Sequence, residues 1–184
     1  MTRTQDGAPA GPGLASPSGL PWPAWPGGRV LIRRAGGGDL GALRDFLAGL
    51  SVRTRHLRFF TGAPPASPAM LAVLAAQRPG TDALVATWNG VIIGHAMAVD
   101  TAGPAGPAST EIGVVVTDAW QGRGVGSGLM RALATRARVR GATTLVMEVM
   151  AENRRMLAMI AGRWPDARHD RSGAYVTVHA RLGH

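Results

Sequence analysis

The 184 residues carry a formal net charge of +9 and include no cysteine. Without cysteine there is no disulfide, thiolate metal site or cysteine nucleophile, which excludes redox and papain-like chemistry. Hydrophobic residues make up 46% of the chain, which is enough for one globular domain with its own core. No apolar run approaches the roughly 20 residues that cross a bilayer, and no secretory signal pattern is present, so we expect a cytoplasmic protein without membrane contact.

All 20 basic residues are arginine. A GC-rich coding bias is the simplest explanation, and a second is that an enzyme acylating lysine would not modify its own side chains. The excess positive charge favours anionic partners, namely nucleic acid, a phosphorylated cofactor or an acidic protein. Because no recognition helix or aromatic ribonucleoprotein pattern accompanies the charge, we do not expect nucleic-acid binding.

Residues 1–28 are rich in Gly, Pro, Ala and Ser and show no periodicity, so apolar burial could not offset the entropy of ordering them. We expect a disordered tail over 1–28 and one folded domain over 29–184. Trp22 and Trp25 alternate with prolines in the tail, and either dock onto the domain or a partner or belong to a solvated leader.

The folded part begins with a strand over Arg29–Arg34, followed by three short helices. Each helix starts at a residue that can cap it, the predicted spans being 39–50, 51–59 and 67–77. Asn89-Gly90 then separates two β-rich runs, and its tolerance of positive φ favours a type I′ hairpin. The remaining predicted elements are strands over 83–88, 91–99, 110–116, 143–149 and 174–182, a loop over 101–108, and helices over 126–140 and 152–161.

The segment Gln121-Gly122-Arg123-Gly124-Val125-Gly126 lies where a strand passes into a helix. Backbone N–H groups and the positive end of the helix dipole converge there, and such a concavity receives phosphate. Glycine suits it because a Cβ would block the anion and because the backbone angles of such a turn are unfavourable to other residues.

Two other phosphate-binding patterns do not fit this segment. A P-loop requires a lysine, and the chain has none. The dinucleotide fingerprint would need a third glycine where Ser127 or Leu129 stands.

The pattern Gln/Arg-x-x-Gly-x-Gly/Ala does fit, and with it the chain resembles the GNAT superfamily of acyl-CoA-dependent N-acyltransferases. The resemblance includes Glu111–Val116 as the strand, the connector Asp118-Ala119-Trp120, and Glu152–Leu157 as the next helix. Arg53–Phe60 and His95 are similar to the acetyltransferase domain of bacterial protein-lysine acetyltransferases. The resemblance spans about residues 29–182.

The resemblance implies an α/β fold with a mixed, mostly antiparallel sheet of six or seven strands that splays after the fourth strand and is flanked by helices. The cofactor implied is acetyl-CoA, and no metal is expected. Backbone groups of Val114 and Val116 would pair with pantetheine, and Asn153 would bind the same region. The turn and the start of the helix would hold the pyrophosphate, the predicted residues being Gln121, Gly122, Arg123, Gly124, Val125, Gly126 and Ser127. For most of the arginines that follow on the helix, at 131, 136, 138 and 140, a solvated face is the expected place.

The resemblance also places Glu111 at the position of a catalytic glutamate. A lysine amine has a pKa near 10.4, so a base must remove a proton before the amine attacks a thioester. Strict alternation puts Glu111 and Val114 on opposite faces of the strand, so this role fits best if the strand is locally bulged. The alternative for Glu111 is an ordinary strand residue at the sheet surface.

Many relatives carry a proton-donating tyrosine seven residues after the helix asparagine, where this chain has Ile160. Tyr175 is expected to be a packing residue, and His56 and His95 are expected to be structural. The acceptor implied is a protein lysine, with a small-molecule amine or a non-catalytic acyl-CoA-binding module as alternatives. The oligomeric state is open, a homodimer being one option.

Overall fold

The computed structural model describes residues 28–61, 67–101 and 109–183. Within these ranges there are seven strands, namely β1 Val30–Arg34, β2 Thr81–Trp88, β3 Val91–Thr101, β4 Ser109–Val116, β5 Thr144–Met150, β6 Arg168–Ser172 and β7 Tyr175–Arg181. They form one sheet in the order β1-β2-β3-β4-β5-β7-β6. Only β4 and β5 are parallel neighbours in it. The expected mixed, mostly antiparallel α/β architecture is confirmed.

The helices in the described part of the chain are α1 Leu40–Ala48, α2 Val52–Phe59, α3 Pro68–Leu74, α4 Val125–Val139 and α5 Arg154–Arg163. Helices α1 and α3 cover one face of the sheet, where Leu43 and Leu71 pack with Val115. Helices α4 and α5 contribute Leu129 and Ile160 to the core of the other face. None of these helices is long and apolar enough to span a membrane.

Local signals set several of these boundaries. The Ser51 and Ser67 hydroxyls accept the backbone N–H groups of Thr54 and Met70 at 3.1 and 3.2 Å, which caps α2 and α3 as predicted. Asn89 and Gly90 have φ angles of 48° and 81°, as a type I′ turn requires.

The structure corrects other predictions. Asp39 precedes α1 without capping it, because its carboxylate binds the Arg33 guanidinium at 2.6 and 2.8 Å. Two helices are shorter than predicted, since α1 ends at Ala48 and α3 ends at Leu74, and α5 is shifted by two residues to Arg154–Arg163. Strand β6 was not predicted because its sequence, Arg-His-Asp-Arg-Ser, has no apolar residue, and as an edge strand it needs none.

Arg136 on α4 and Arg140, the residue directly after that helix, do not belong to a solvated face. Arg136 and Arg140 each bind the carboxylate of Asp82 on β2 at 2.6 Å, and Asp82 is buried. The predicted tail over 1–28 lies outside the described residues except for Gly28, which forms a β-bridge. The predicted loop over 101–108 also lies outside them, except for Thr101.

Candidate active site

The sheet opens between β4 and β5. Their parallel pairing comprises Ser109 with Thr144, Thr110 with Leu145 and Glu111 with Val146, and it ends there. Beyond Glu111, β4 stays paired with β3, while β5 stays paired with β7. Backbone groups along residues 112–116 and 147–150 therefore border a gap, which confirms the predicted splay after the fourth strand.

The glycine-rich turn lies at the end of this gap. Gly122 and Gly124 have φ angles of 75° and 82°, in the region that favours glycine, and Gly124 is the N-cap of α4. The first amides of α4 have no partner within the helix and carry the positive end of its dipole. A Cβ on Gly122 or Gly124 would meet no protein atom within 4 Å, so within the protein itself the backbone angle, and not crowding, favours glycine at these two positions.

A cavity of about 420 Å³ joins the gap to the turn, and we call it the cofactor-side cavity. Eight of the ten residues predicted to bind the cofactor line it, namely Val114, Val116, Gln121, Gly122, Gly124, Gly126, Ser127 and Asn153. The side chains of the other two point elsewhere. The Arg123 guanidinium lies over the Trp120 ring, 5.3 Å from its centroid, and the Val125 side chain is buried in the core. Neither side chain lines the cavity, which leaves the backbone amides of these two residues for a ligand in the turn.

The Gln121 side chain links three elements of the fold, β4, α2 and α5. Its Nε2 donates to the Val116 carbonyl and to the Thr54 hydroxyl, both at 3.1 Å, and its Oε1 accepts from Arg155 at 3.3 Å. The side chain predicted to bind cofactor therefore holds the end of β4 against α2 and α5.

Asn153 is the N-cap of α5, where its Oδ1 accepts the Met156 N–H at 3.2 Å. Its Nδ2 makes no hydrogen bond within the described residues. An amide donor at the edge of the cofactor-side cavity is thus available for a ligand.

A second cavity, of about 280 Å³, lies on the α2 and α3 side of the gap, and we call it the acceptor-side cavity. Glu111, Glu148 and Met97 line it, together with Phe60. The β3–β4 register is continuous from Ser109 to Val116, so the expected bulge in β4 is absent. No bulge is needed, because Val114 lies at the boundary and lines both cavities.

Arg58 is a charged residue at this boundary for which the sequence pattern predicts no role. Arg58 lines both cavities, and burial, partly offset by the charge of Glu111, lowers its pKa to about 10. The sequence feature that could have identified Arg58 is its place in the segment Arg53–Phe60, which is similar to bacterial protein-lysine acetyltransferases.

The histidine at the centre of the sheet is structural, as expected. His95 is buried, its Nε2 donates to the Leu74 carbonyl at 2.8 Å, and burial lowers its pKa to about 4. Tyr175 packs edge-on against the Phe60 ring at 5.2 Å, and Ile160 is buried in the core. Among the residues that the structure describes, no group of three His, Asp or Glu side chains is placed to hold a metal ion.

Solved structures share this fold. The GNAT domain of PAT from S. lividans matches with a TM-score of 0.76 and 25% sequence identity, over 85% of this chain and 93% of that one. An acetyltransferase of the GNAT family from Streptococcus pneumoniae gives a TM-score of 0.69 at 17% identity, over 84% of this chain and 100% of that one. The structure of yncA from Salmonella typhimurium, solved with its cofactor acetyl-CoA, gives 0.65 at 22% identity, over 83% and 92% of the two chains.

A search of curated protein sequences finds no significant match. The model of the acetyltransferase (GNAT) family, by contrast, matches residues 51–162. That match runs from the cap of α2 to the last turn of α5, and so includes the gap, the glycine-rich turn and both cavities. The chain belongs to the GNAT acetyltransferase family.

Proposed function

We propose that this protein transfers an acetyl group from acetyl-CoA to a primary amine by direct attack within a ternary complex. The observation that carries the proposal is the gap between β4 and β5, which leads through one cavity to the N-terminus of α4. An extended pantetheine arm fits an opening bordered by unpaired strand edges, because it can take the hydrogen bonds that a neighbouring strand would make. A pyrophosphate fits the amides of a glycine-rich turn at a helix N-terminus.

The residues of the chain have separate roles in this proposal. Amides of residues 122–127 bind the pyrophosphate, while backbone groups of Val114 and Val116 and the Asn153 amide bind the pantetheine region. The Val116 carbonyl already accepts a hydrogen bond from Gln121, so the second lone pair of that oxygen and the Val116 N–H are the groups left to bind pantetheine. Arg155, which also lines the cofactor-side cavity, adds positive charge for the phosphates.

Glu111 is the general base of the proposed reaction. It is an exposed carboxylate that lines the acceptor-side cavity, so an incoming ammonium can reach it through solvent. It takes a proton from the ammonium, and the neutral amine then attacks the acetyl carbon. Glu148 lines the same cavity, and two carboxylates favour a cationic acceptor.

A protein lysine is the acceptor that we propose. The acidic lining suits the lysine ammonium, and the resemblance of the α2 segment to bacterial protein-lysine acetyltransferases points the same way. A peptide with a blocked N-terminus and one lysine, the same peptide with arginine in its place, and a small primary amine should be incubated with enzyme and acetyl-CoA and weighed by mass spectrometry. Because the chain contains no lysine, its own side chains give no background.

We expect one acetyl group on the lysine peptide and none on the arginine peptide. Acetylation of the small amine alone would overturn the protein acceptor, leaving a small-molecule acetyltransferase. Binding of acetyl-CoA without transfer to any amine would overturn catalysis, leaving an acyl-CoA-binding module.

Cofactor binding is tested by thermal and chemical unfolding with and without acetyl-CoA. A ligand at one hundred times its Kd adds about 2.7 kcal/mol to the free energy of unfolding. The variant Gly124→Val/Gly126→Val should lose this gain. The matched control is Gly141→Val, which also replaces a positive-φ glycine with open space around it, at the far end of α4. The binding site is wrong if the double variant keeps the wild-type gain.

A further inference from the structure

Arg58, in the last turn of α2, lies at the junction of the two cavities. Arg58 is the one charged residue among the described residues that line both cavities, the others being Leu57, Val114, Asn153 and Met156. In the proposed reaction the donor enters from the cofactor-side cavity and the acceptor from the acceptor-side cavity, which places acyl transfer at this junction.

The Arg58 guanidinium is held in place from two sides. It lies over the Phe59 ring, 4.9 Å from the ring centroid. It also occupies the space above Gly113 on β4, where a Cβ would come within 2.9 Å of Nε and closer still to the rest of the group. Because residue 113 is glycine, the guanidinium fits against β4 close to the point where the gap begins.

This guanidinium lacks hydrogen-bond partners in the part of the chain that the structure describes. Its Nε is buried with no acceptor, and Arg58 makes no ion pair there. A buried donor left unsatisfied costs about 1–3 kcal/mol, more if it is charged. With a pKa of about 10 the group is still protonated at neutral pH, so the fold keeps a cation with unused hydrogen-bonding capacity at the junction.

The proposed reaction produces negative charge that needs such a group. As the bond from the amine nitrogen to the acetyl carbon forms, charge develops on the thioester oxygen. The carbon–sulfur bond then breaks, and its electron pair goes to sulfur. Ile160, which is buried, has no proton to give to the departing sulfur.

We propose that Arg58 is a catalytic residue that stabilises the negative charge on the thioester oxygen and then on the departing sulfur. The inference rests on the proposed function. The nitrogen loses two protons in all. Glu111 takes the first from the ammonium before the attack and passes it to solvent. The second, lost as the intermediate becomes the amide, or one from water, converts the thiolate that Arg58 stabilises into the thiol. The cation replaces proton donation by electrostatic stabilisation.

The decisive measurement is the pKa of the thiol of coenzyme A bound to the enzyme, followed by the ultraviolet absorbance of the thiolate during a pH titration. We expect wild type to lower that pKa by about one unit or more relative to free coenzyme A. Arg58→Met should restore the free value and lower kcat about 100-fold, as loss of one oxyanion donor does. Arg58→Lys should recover part of both effects, because it keeps the charge without the planar fork.

Arg155→Met is the control, since Arg155 lines only the cofactor-side cavity. It should weaken coenzyme A binding and leave the thiol pKa at the wild-type value. An unchanged thiol pKa in Arg58→Met would overturn the proposal. So would a rise in the acceptor KM alone, because Arg58 would then bind an anionic group of the acceptor. Failure of coenzyme A to bind wild type would instead refute the proposed function, and this inference with it.

Discussion

The Thr54 hydroxyl donates a hydrogen bond to Asp118 Oδ1 at 2.8 Å and joins α2 to the connector that leads into the glycine-rich turn. The same hydroxyl accepts from Gln121 Nε2 at 3.1 Å. One buried side chain thus fixes both ends of the connector. Ser51 strengthens the link, because its hydroxyl also donates to Asp118, at 2.8 Å.

Thr54→Val should lower the free energy of unfolding by about 1–2 kcal/mol and weaken acetyl-CoA binding. Valine keeps the shape of threonine and removes both hydrogen bonds, each of which contributes about 1 kcal/mol net. Urea unfolding and calorimetric titration measure the two effects. Thr135→Val, on the exposed face of α4, is the control and should change neither. Equal behaviour of the two variants would show that the connector does not depend on Thr54.

Glu111→Gln should lower kcat by about 10²–10⁴ and leave the acetyl-CoA affinity near the wild-type value, because it removes a base without touching the glycine-rich turn. Since the base is needed to deprotonate an amine with a pKa near 10.4, raising the pH should restore part of the activity. Glu148→Gln, in the same cavity, is the matched control and should cost less. If steady-state rates for Glu111→Gln equal those of wild type at neutral pH, Glu111 is not the base.

His95 makes stability depend on pH. Burial, opposed by the Leu74 hydrogen bond and assisted by the charge of Arg58, lowers its pKa from 6.5 to about 4. The unfolded chain therefore takes up a proton first as the pH falls, so this contribution is complete above about pH 6.5 and is lost as the pH falls to about 4. The difference corresponds to about 3 kcal/mol.

Unfolding of wild type and His95→Gln at pH 7 and pH 4.5 tests this dependence. The variant should lose less stability than wild type between these values, although it starts lower at pH 7. His169→Gln, on the exposed edge strand β6, should keep the wild-type dependence. A variant at position 95 with an undiminished pH dependence would show that His95 is not the group responsible.

Asp82→Asn should destabilise the fold by about 2–4 kcal/mol. Asp82 is 3% exposed and pairs with Arg136 and Arg140, whose side chains are 25% and 30% exposed. Removing one partner of a buried pair costs about 3–5 kcal/mol, and the arginines lessen this cost because they reach water. Asp170→Asn breaks a surface pair with Arg168 and should cost no more than about 1 kcal/mol in the same urea titration. Equal costs would contradict the structural role of Asp82.

The sequence alone determined those features that depend on neighbouring residues. Hydroxyl caps at Ser51 and Ser67, the Asn89-Gly90 turn and the positive-φ glycines before α4 each act within a few residues, so their local patterns predict them. The family resemblance supplied the splayed sheet, because the motif and the opening between the strands occur together.

Tertiary structure decided what distant segments do to one another. Arg58 is 55 residues from Gly113 in the chain, and only the packing of α2 on β4 brings its guanidinium to the junction of the two cavities. In the same way, Asp82 forms ion pairs with two arginines whose sequence pattern predicts a solvated helix face. Gln121, predicted to bind cofactor, forms a hydrogen bond that links the turn to α2. Charge and hydrogen bonding depend on distance in space, and a one-dimensional pattern carries no information on which remote side chains will meet.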